Sequence, residues 1–279
     1  MNKLYIDTSI FNRALDTGVD ATAMREAFSK LRLEPATGLL TVNELARTFL
    51  KPSNADRAKA LFALLRDLDP VYQPEIRSVL KAEVTKLRTG AAVLPFLDEL
   101  QHASARVEVA RLAGGFFDER ASRFLVDTLR RKNRDRESHK SHLANISSAG
   151  ATDPKVAALQ TFDDVWAYFD SKGALPSMIA EVLRGDVSLR EAKELAQRLQ
   201  SFPAIATAVR SDVYLNFIMI AHAEVPGKDK LDDYKHAIGA AYCSAFLTAD
   251  MQVAALRHVL PHVRLLTWNS VLAPTVGAV

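Results

Sequence analysis

LYIDTSIF, residues Leu4 to Phe11, decides the reading of the fold. Leu4, Tyr5 and Ile6 are strand formers, Asp7, Thr8 and Ser9 are three N-cap residues in a row, and Ile10 and Phe11 are apolar again. A strand that hands over directly to a helix is the opening of a βα unit. The next stretch keeps the same grammar. Helical spacing runs from Asp20 to about Leu33, and "ATGLLTVNELARTFL" offers a second strand-like piece at Gly38–Leu40 followed by a helix that holds Glu44. Alternation of this kind implies a parallel sheet covered by helices.

The C-terminal part returns to that pattern. "LDDYKHAIGAAYC" reads as a helix with an apolar face at Ala237, Ala240 and Ala241, "AFLT" as a strand leading to Asp250, "MQVAALRHVL" as a helix and "VRLLTW" as a strand. Between the two α/β portions, from Pro52 to about Ile220, the chain reads as almost continuous helix. Pro52 opens "ADRAKALFALLRDL", Pro74 opens a helix stopped by Gly90, and "PFLDELQHASARVEVARLAGG" stops at Gly114 and Gly115. Asp153 and Pro154 open a further helix, and Ser188 with Glu191 forms a capping box. No repeat of fixed period interrupts this. The expectation is an α/β three-layer sandwich with a central, mostly parallel sheet, built from residues 1–50 and 224–279, and carrying an all-helical insertion at 51–223, part of which packs as core helices.

Composition bounds the chemistry. The 279 residues are 48% hydrophobic, enough for a sizeable core, and the net charge of +3 favours an anionic partner only mildly. Cys243 is the single cysteine, which excludes an intramolecular disulfide and suits a reducing compartment. Asp7 interrupts the N-terminus before any signal-like apolar run, and "VYLNFIMIAHAEV" is too short to span a bilayer, so a cytoplasmic protein with no membrane partner is expected.

Asp7 and Asp250 both follow strands, and in open parallel sheets the crevice at the carboxyl ends of the strands is where ligands bind. Glu44 lies early in the helix after the second strand and Asp233 opens the helix that leads to "AFLT". Clustered carboxylates repel unless a cation neutralises them, and oxygen ligands without thiolates suit Mg²⁺ or Mn²⁺. Such sites bind a substrate phosphate and activate water, which implies phosphodiester hydrolysis.

"LYIDTSIF", "TVNEL" and "DDYKHAIGAAYCSAFLTAD" together resemble the PIN-domain ribonucleases, a fold that includes toxins of bacterial toxin–antitoxin pairs. The resemblance covers roughly residues 1–50 and 224–279. It implies a Mg²⁺- or Mn²⁺-dependent endoribonuclease with Asp7, Glu44, Asp233 and Asp250 as metal ligands and catalytic acids. Thr8, Ser9, His236 and Thr248 would support them. Two features depart from the family: Ala249 stands at an often polar position, and the helical stretch between Glu44 and Asp233 is far longer than usual. The partners implied are an RNA substrate and an antitoxin or other protein, with a homodimer left open. An idle scaffold that binds RNA or protein, a toxin nuclease restrained by an antitoxin partner, and another Mg²⁺ enzyme such as a phosphatase are the alternatives.

Each residue also has a plain structural reading. Asp7 and Asp250 can be helix caps, Glu44 a solvated helix residue, and Asp232 and Asp233 an acidic first turn. Asp233 is preferred to Asp232 because it stands three residues before His236 on one helical face, and His236 itself reads as a hydrogen-bonded structural residue near the site rather than a ligand. Thr8, Ser9 and Thr248 can be turn formers. His139 and His142 read as a solvated loop, and Pro261 separates His258 from His262. Residues 120–140 carry eight basic against three acidic side chains, among them Arg130, Arg131, Lys132, Arg134 and Arg136. That helix either tracks a phosphate backbone or is a salt-bridged solvated face. Phe116, Phe117 and Phe124 are read as its core partners.

Overall fold

The computed structural model describes residues 2–130, 133, 137, 158–222, 228–249 and 253–272, with the backbone alone described at 222, 228–233 and 253–254. Asp250, His139, His142, the helix expected from Asp153, and Arg131, Lys132, Arg134 and Arg136 lie outside the described residues. What is described is an α/β protein around one five-stranded sheet with every strand parallel, in the order β3-β2-β1-β4-β5. The strands are β1 (Asn2–Ile6), β2 (Leu33–Gly38), β3 (Val71–Gln73), β4 (Ala245–Thr248) and β5 (Arg264–Thr267).

Period-two alternation along β1 assigns the two faces. Leu4 and Ile6, with Leu33, Tyr72, Ala245 and Leu247, point to one side. There they meet Ile10 and Phe11 of α1 (Thr8–Thr17), Met24 and Phe28 of α2 (Ala21–Lys30), and Leu45 of α3 (Leu39–Ala46). Leu61, Phe62 and Leu65 of α4 (Ala55–Leu68) complete that layer. Tyr5, Ala36 and Phe246 point to the other side, against Val79 and Val84 of α5 (Ile76–Thr89), Ile205, Val209 and Val213 of the helix Pro203–His222, and Ala237 and Ala240 of the helix Lys228–Ala240. A sheet buried on both faces needs strands apolar throughout, and β4 is buried at all four positions.

Three expectations are corrected. The second strand is Leu33–Gly38, not Gly38–Leu40: Gly38 is already the extended N-cap residue of α3, and Leu39 and Leu40 are helical. Pro35 precedes the first β2–β3 pair, Ala36 with Val71, so its missing N–H falls where β2 has no β3 partner. The stretch 51–223 is not all helical, because it supplies β3, the strand beside β2 at one edge of the sheet. That edge is covered: His102, on the helix α6 (Glu99–Ala113), takes the Tyr72 N–H on Nε2 at 2.9 Å, and the Leu97 N–H donates to the Tyr72 carbonyl at 2.9 Å. The same stretch also provides core helices on both faces, α4 on one and Pro203–His222 on the other. The third correction concerns length. Residues 213–222 of "VYLNFIMIAHAEV" belong to a 20-residue helix whose Pro203–Ala221 portion is long and apolar enough to cross a membrane by length and composition; 67% of its most apolar window is buried inside the protein.

The helix Pro203–His222 begins on a carboxylate from elsewhere. Glu83 of α5 is fully buried, and it accepts from the N–H groups of Ala204 and Ile205, each at 2.8 Å. The Tyr242 hydroxyl donates to it at 2.5 Å. These two amides are among the first-turn donors that have no intrahelical partner, and burial pushes the Glu83 carboxyl up against the pull of those hydrogen bonds.

Candidate functional site

The winding of the chain reverses between β1 and β4, and the crevice at the carboxyl ends of those two strands is the position at which doubly wound sheets bind ligands. Asp7 is the first residue beyond β1. Its backbone N–H donates to the Leu247 carbonyl of β4 at 3.3 Å, and its Oδ1 accepts from the Ile10 N–H at 3.3 Å, so it caps α1 as the plain reading expects. It does more than cap. Ser9 Oγ donates to the same Oδ1 at 2.5 Å, lies 3.4 Å from Thr248 Oγ1, and accepts the Ala249 N–H at 2.9 Å. The last contact uses backbone, so alanine at position 249 leaves it intact.

Asp7 is only 8% exposed. Burial pushes its carboxyl above the usual carboxylate range, opposed by the nearby His236 and by hydrogen bonds from Ser9, Thr248 and Ile10. A helix cap at a surface carries no such burden, because water solvates its free oxygen.

Glu44 stands on α3, which leaves β2 at the same end of the sheet. Its side chain is 14% exposed, not the solvated position that a lone helix glutamate suggests. Thr8 Oγ1 donates to Glu44 Oε2 at 2.6 Å, and His236 Nε2 reaches the same oxygen at 2.9 Å. Thr8, Ser9, Glu44, His236 and Thr248 therefore converge around Asp7. His236 is 6% exposed and reaches Tyr5 Oη through Nδ1 at 3.2 Å, which makes it the hydrogen-bonded residue that its sequence position suggests. The backbone of Asp233 lies one turn before His236 on the same helix, and its side chain is outside what is described.

Tyr5 is the member that the sequence conceals. In "LYIDTSIF" it passes for another strand former, although a tyrosine buried to 1% usually finds a partner for its hydroxyl. Both Asp7 and Glu44 act electrostatically on its phenol, whose pKa is raised first of all by burial. Two glycines make room for it. A Cβ on Gly38 would meet Tyr5 Oη at 2.8 Å, and one on Gly239 would meet Oη and Cε2 at 3.0 Å and Cζ at 3.1 Å. Glycine inside a helix ordinarily costs roughly 0.8–1 kcal/mol relative to alanine. Gly239→Ala should nevertheless lower the melting temperature, because the Tyr5 ring, packed on Phe246 at a centroid distance of 5.6 Å and held by His236, has no room to retreat. A thermal melt of that variant checks this, and a raised melting temperature would contradict it.

Other sequence candidates stand apart from this crevice. His258 packs on Phe162 and Tyr214, while His262 Nε2 reaches the Ala241 carbonyl at 3.0 Å, so the two imidazoles serve separate contacts. On the helix at 119–130, Arg123 pairs with Glu119 at 2.5 Å and Arg130 with Asp127 at 3.5 Å, the pattern of a salt-bridged solvated face. Of the three phenylalanines expected to pack there, Phe117 stacks on Phe49 at 5.0 Å, whereas Phe116 and Phe124 are exposed. Their placement is corrected accordingly.

Among the described residues, no three His, Cys, Asp or Glu side chains are grouped so as to hold a metal ion. Among the described residues the crevice holds the carboxylates Asp7 and Glu44. Their hard oxygens, with no thiolate among the hydrogen-bonded residues around them, are the donor type that Mg²⁺ and Mn²⁺ prefer, and a buried, destabilised carboxylate is one that a cation would relieve. Set against protein-family models, curated proteins and solved structures, the chain matches none.

Proposed function

We propose that the protein is a PIN-like endoribonuclease that hydrolyses RNA phosphodiester bonds with Mg²⁺ or Mn²⁺ held by Asp7, Glu44, Asp233 and Asp250. The observation that carries this reading is Asp7: a carboxylate kept out of water at the switch point of a parallel sheet, within electrostatic reach of an imidazole that is itself hydrogen-bonded to a second carboxylate. When bound, the cation supplies neutralisation of the phosphate and activation of water for in-line attack. The chain supplies position. Ser9 and the Ile10 amide fix the Asp7 oxygen, Thr8 and His236 fix that of Glu44, and α1 begins at this crevice with the N-terminal polarity that favours a phosphate.

The deciding experiment is cleavage of a labelled single-stranded RNA by the full chain with Mg²⁺, with Mn²⁺ and with chelator, beside Glu44→Gln. Cleavage that requires the metal and is lost in the variant is the expected result. RNA binding without cleavage under either metal would replace the nuclease with a scaffold, and hydrolysis of a small phosphomonoester in place of RNA would indicate a phosphatase.

A further inference from the structure

Three hydrogen bonds join four side chains from the core of the sheet to the crevice: Tyr5 Oη to His236 Nδ1 at 3.2 Å, His236 Nε2 to Glu44 Oε2 at 2.9 Å, and Thr8 Oγ1 to that same oxygen at 2.6 Å. A phenol keeps its proton at ordinary pH, so Tyr5 has one to give to the nitrogen 3.2 Å away. An Nδ1 that accepts from the phenol leaves the ring proton of a neutral imidazole on Nε2, aimed at Glu44. The ring itself has little freedom, since His236 is 6% exposed and meets the Tyr5 ring edge-on at 6.0 Å. Tyr5 is in turn cradled between two glycines: a Cβ at Gly38 would collide with its hydroxyl and one at Gly239 would crowd its ring.

We propose that Tyr5 and His236 are positioning residues: Tyr5 sets the imidazole tautomer, and the imidazole, with Thr8, holds the Glu44 carboxylate in one orientation for the divalent cation. The inference rests on the metal-site reading above and adds to it two residues that touch neither cation nor RNA. Outer partners of this kind fix ligand orientation and contribute about 10–100-fold in metal affinity. The cost of building them is visible in the sequence, where two glycines are spent on one phenol.

The test uses the full chain without RNA. Mn²⁺ affinity is measured by electron paramagnetic resonance for wild type, Tyr5→Phe, His236→Gln, His236→Ala, Glu44→Gln and Asp7→Asn, and the His236 ring nitrogens are followed by ¹⁵N NMR in wild type and Tyr5→Phe. The proposal expects Nε2–H as the wild-type tautomer, a mixture in Tyr5→Phe, and Mn²⁺ binding about 10-fold weaker in Tyr5→Phe. His236→Gln, whose amide can still donate to Glu44, should bind Mn²⁺ more tightly than His236→Ala. A wild-type Nδ1–H tautomer overturns the proposal. So does Mn²⁺ binding by both Tyr5→Phe and His236→Ala that equals wild type while Glu44→Gln is impaired; the metal site would then stand without its clamp. If Glu44→Gln and Asp7→Asn also bind Mn²⁺ as wild type does, the metal-site reading falls, and the clamp with it.

Discussion

Asp7→Asn should lower metal-dependent RNA cleavage by about 100-fold or more, since even an outer partner of a metal ligand contributes about 10–100-fold. The same variant should melt no earlier than wild type in the presence of chelator. The two expectations together separate the roles that Asp7 holds. As the N-cap of α1 it needs a side-chain oxygen to accept the Ile10 N–H, and asparagine caps about as well as aspartate. As a buried carboxylate it carries a desolvation cost that the neutral amide does not, so removing the charge removes a burden on the apo fold. Cleavage assays and thermal melts on one preparation decide the matter. A variant that cleaves like wild type would make Asp7 a helix cap and nothing more.

Glu83→Ala should destabilise the fold by about 3–5 kcal/mol, toward the low end of what three buried donors left without an acceptor cost together. The substitution strips the acceptor from the Ala204 and Ile205 amides and from the Tyr242 hydroxyl together, and each stranded buried donor costs about 1–3 kcal/mol. Lys86 cannot replace it as an acceptor, because an ammonium offers only protons. The dependence on pH has a definite sign. The folded pKa of Glu83 lies above its unfolded value, so its contribution is fully present below the unfolded pKa and is lost as the pH rises through the folded pKa. The stability gap between wild type and Glu83→Ala, measured by denaturant unfolding, should therefore be wider in mildly acidic buffer than in alkaline buffer. A gap under about 1 kcal/mol, the size of an ordinary surface change, would refute the account.

The elements that were legible in the sequence are those whose local chemistry agrees with their surroundings. β1 and β4 read correctly because apolar runs bounded by cap residues are what a doubly buried strand requires, and β5, an edge strand with no buried position, reads from its own short apolar run. The convergence of Asp7, Glu44 and His236 was legible from order along the chain and not from any residue alone. β3 was hidden because Val71, Tyr72 and Gln73 lie between Pro70 and Pro74, and three residues flanked by prolines resemble a turn. β2 was misplaced because Glu34 and Pro35 break the apolar run that identifies a strand. Glu83 left no local trace: a glutamate at helical spacing reads as solvated, and its partners are 121, 122 and 159 residues away. Tyr5 was hidden by the opposite cause. It is apolar enough to satisfy the strand pattern, and nothing nearby in sequence shows where its hydroxyl points.

The central position of β1 also orders events during biosynthesis. β2 and β3 emerge soon after β1 and can flank it on one side, but the strand on its other side begins at Ala245. Ser9 and its partner Ala249 are 240 residues apart, which at roughly 5–20 residues per second is an interval of about 12–48 s on the ribosome. Until then one edge of β1 is bare, with its ladder groups open to any passing strand. The crevice does not exist in that period either, since one of its walls has not been made. A nascent chain therefore carries Asp7 long before it carries the crevice around it, and any activity of the finished fold is withheld from the messenger still being read.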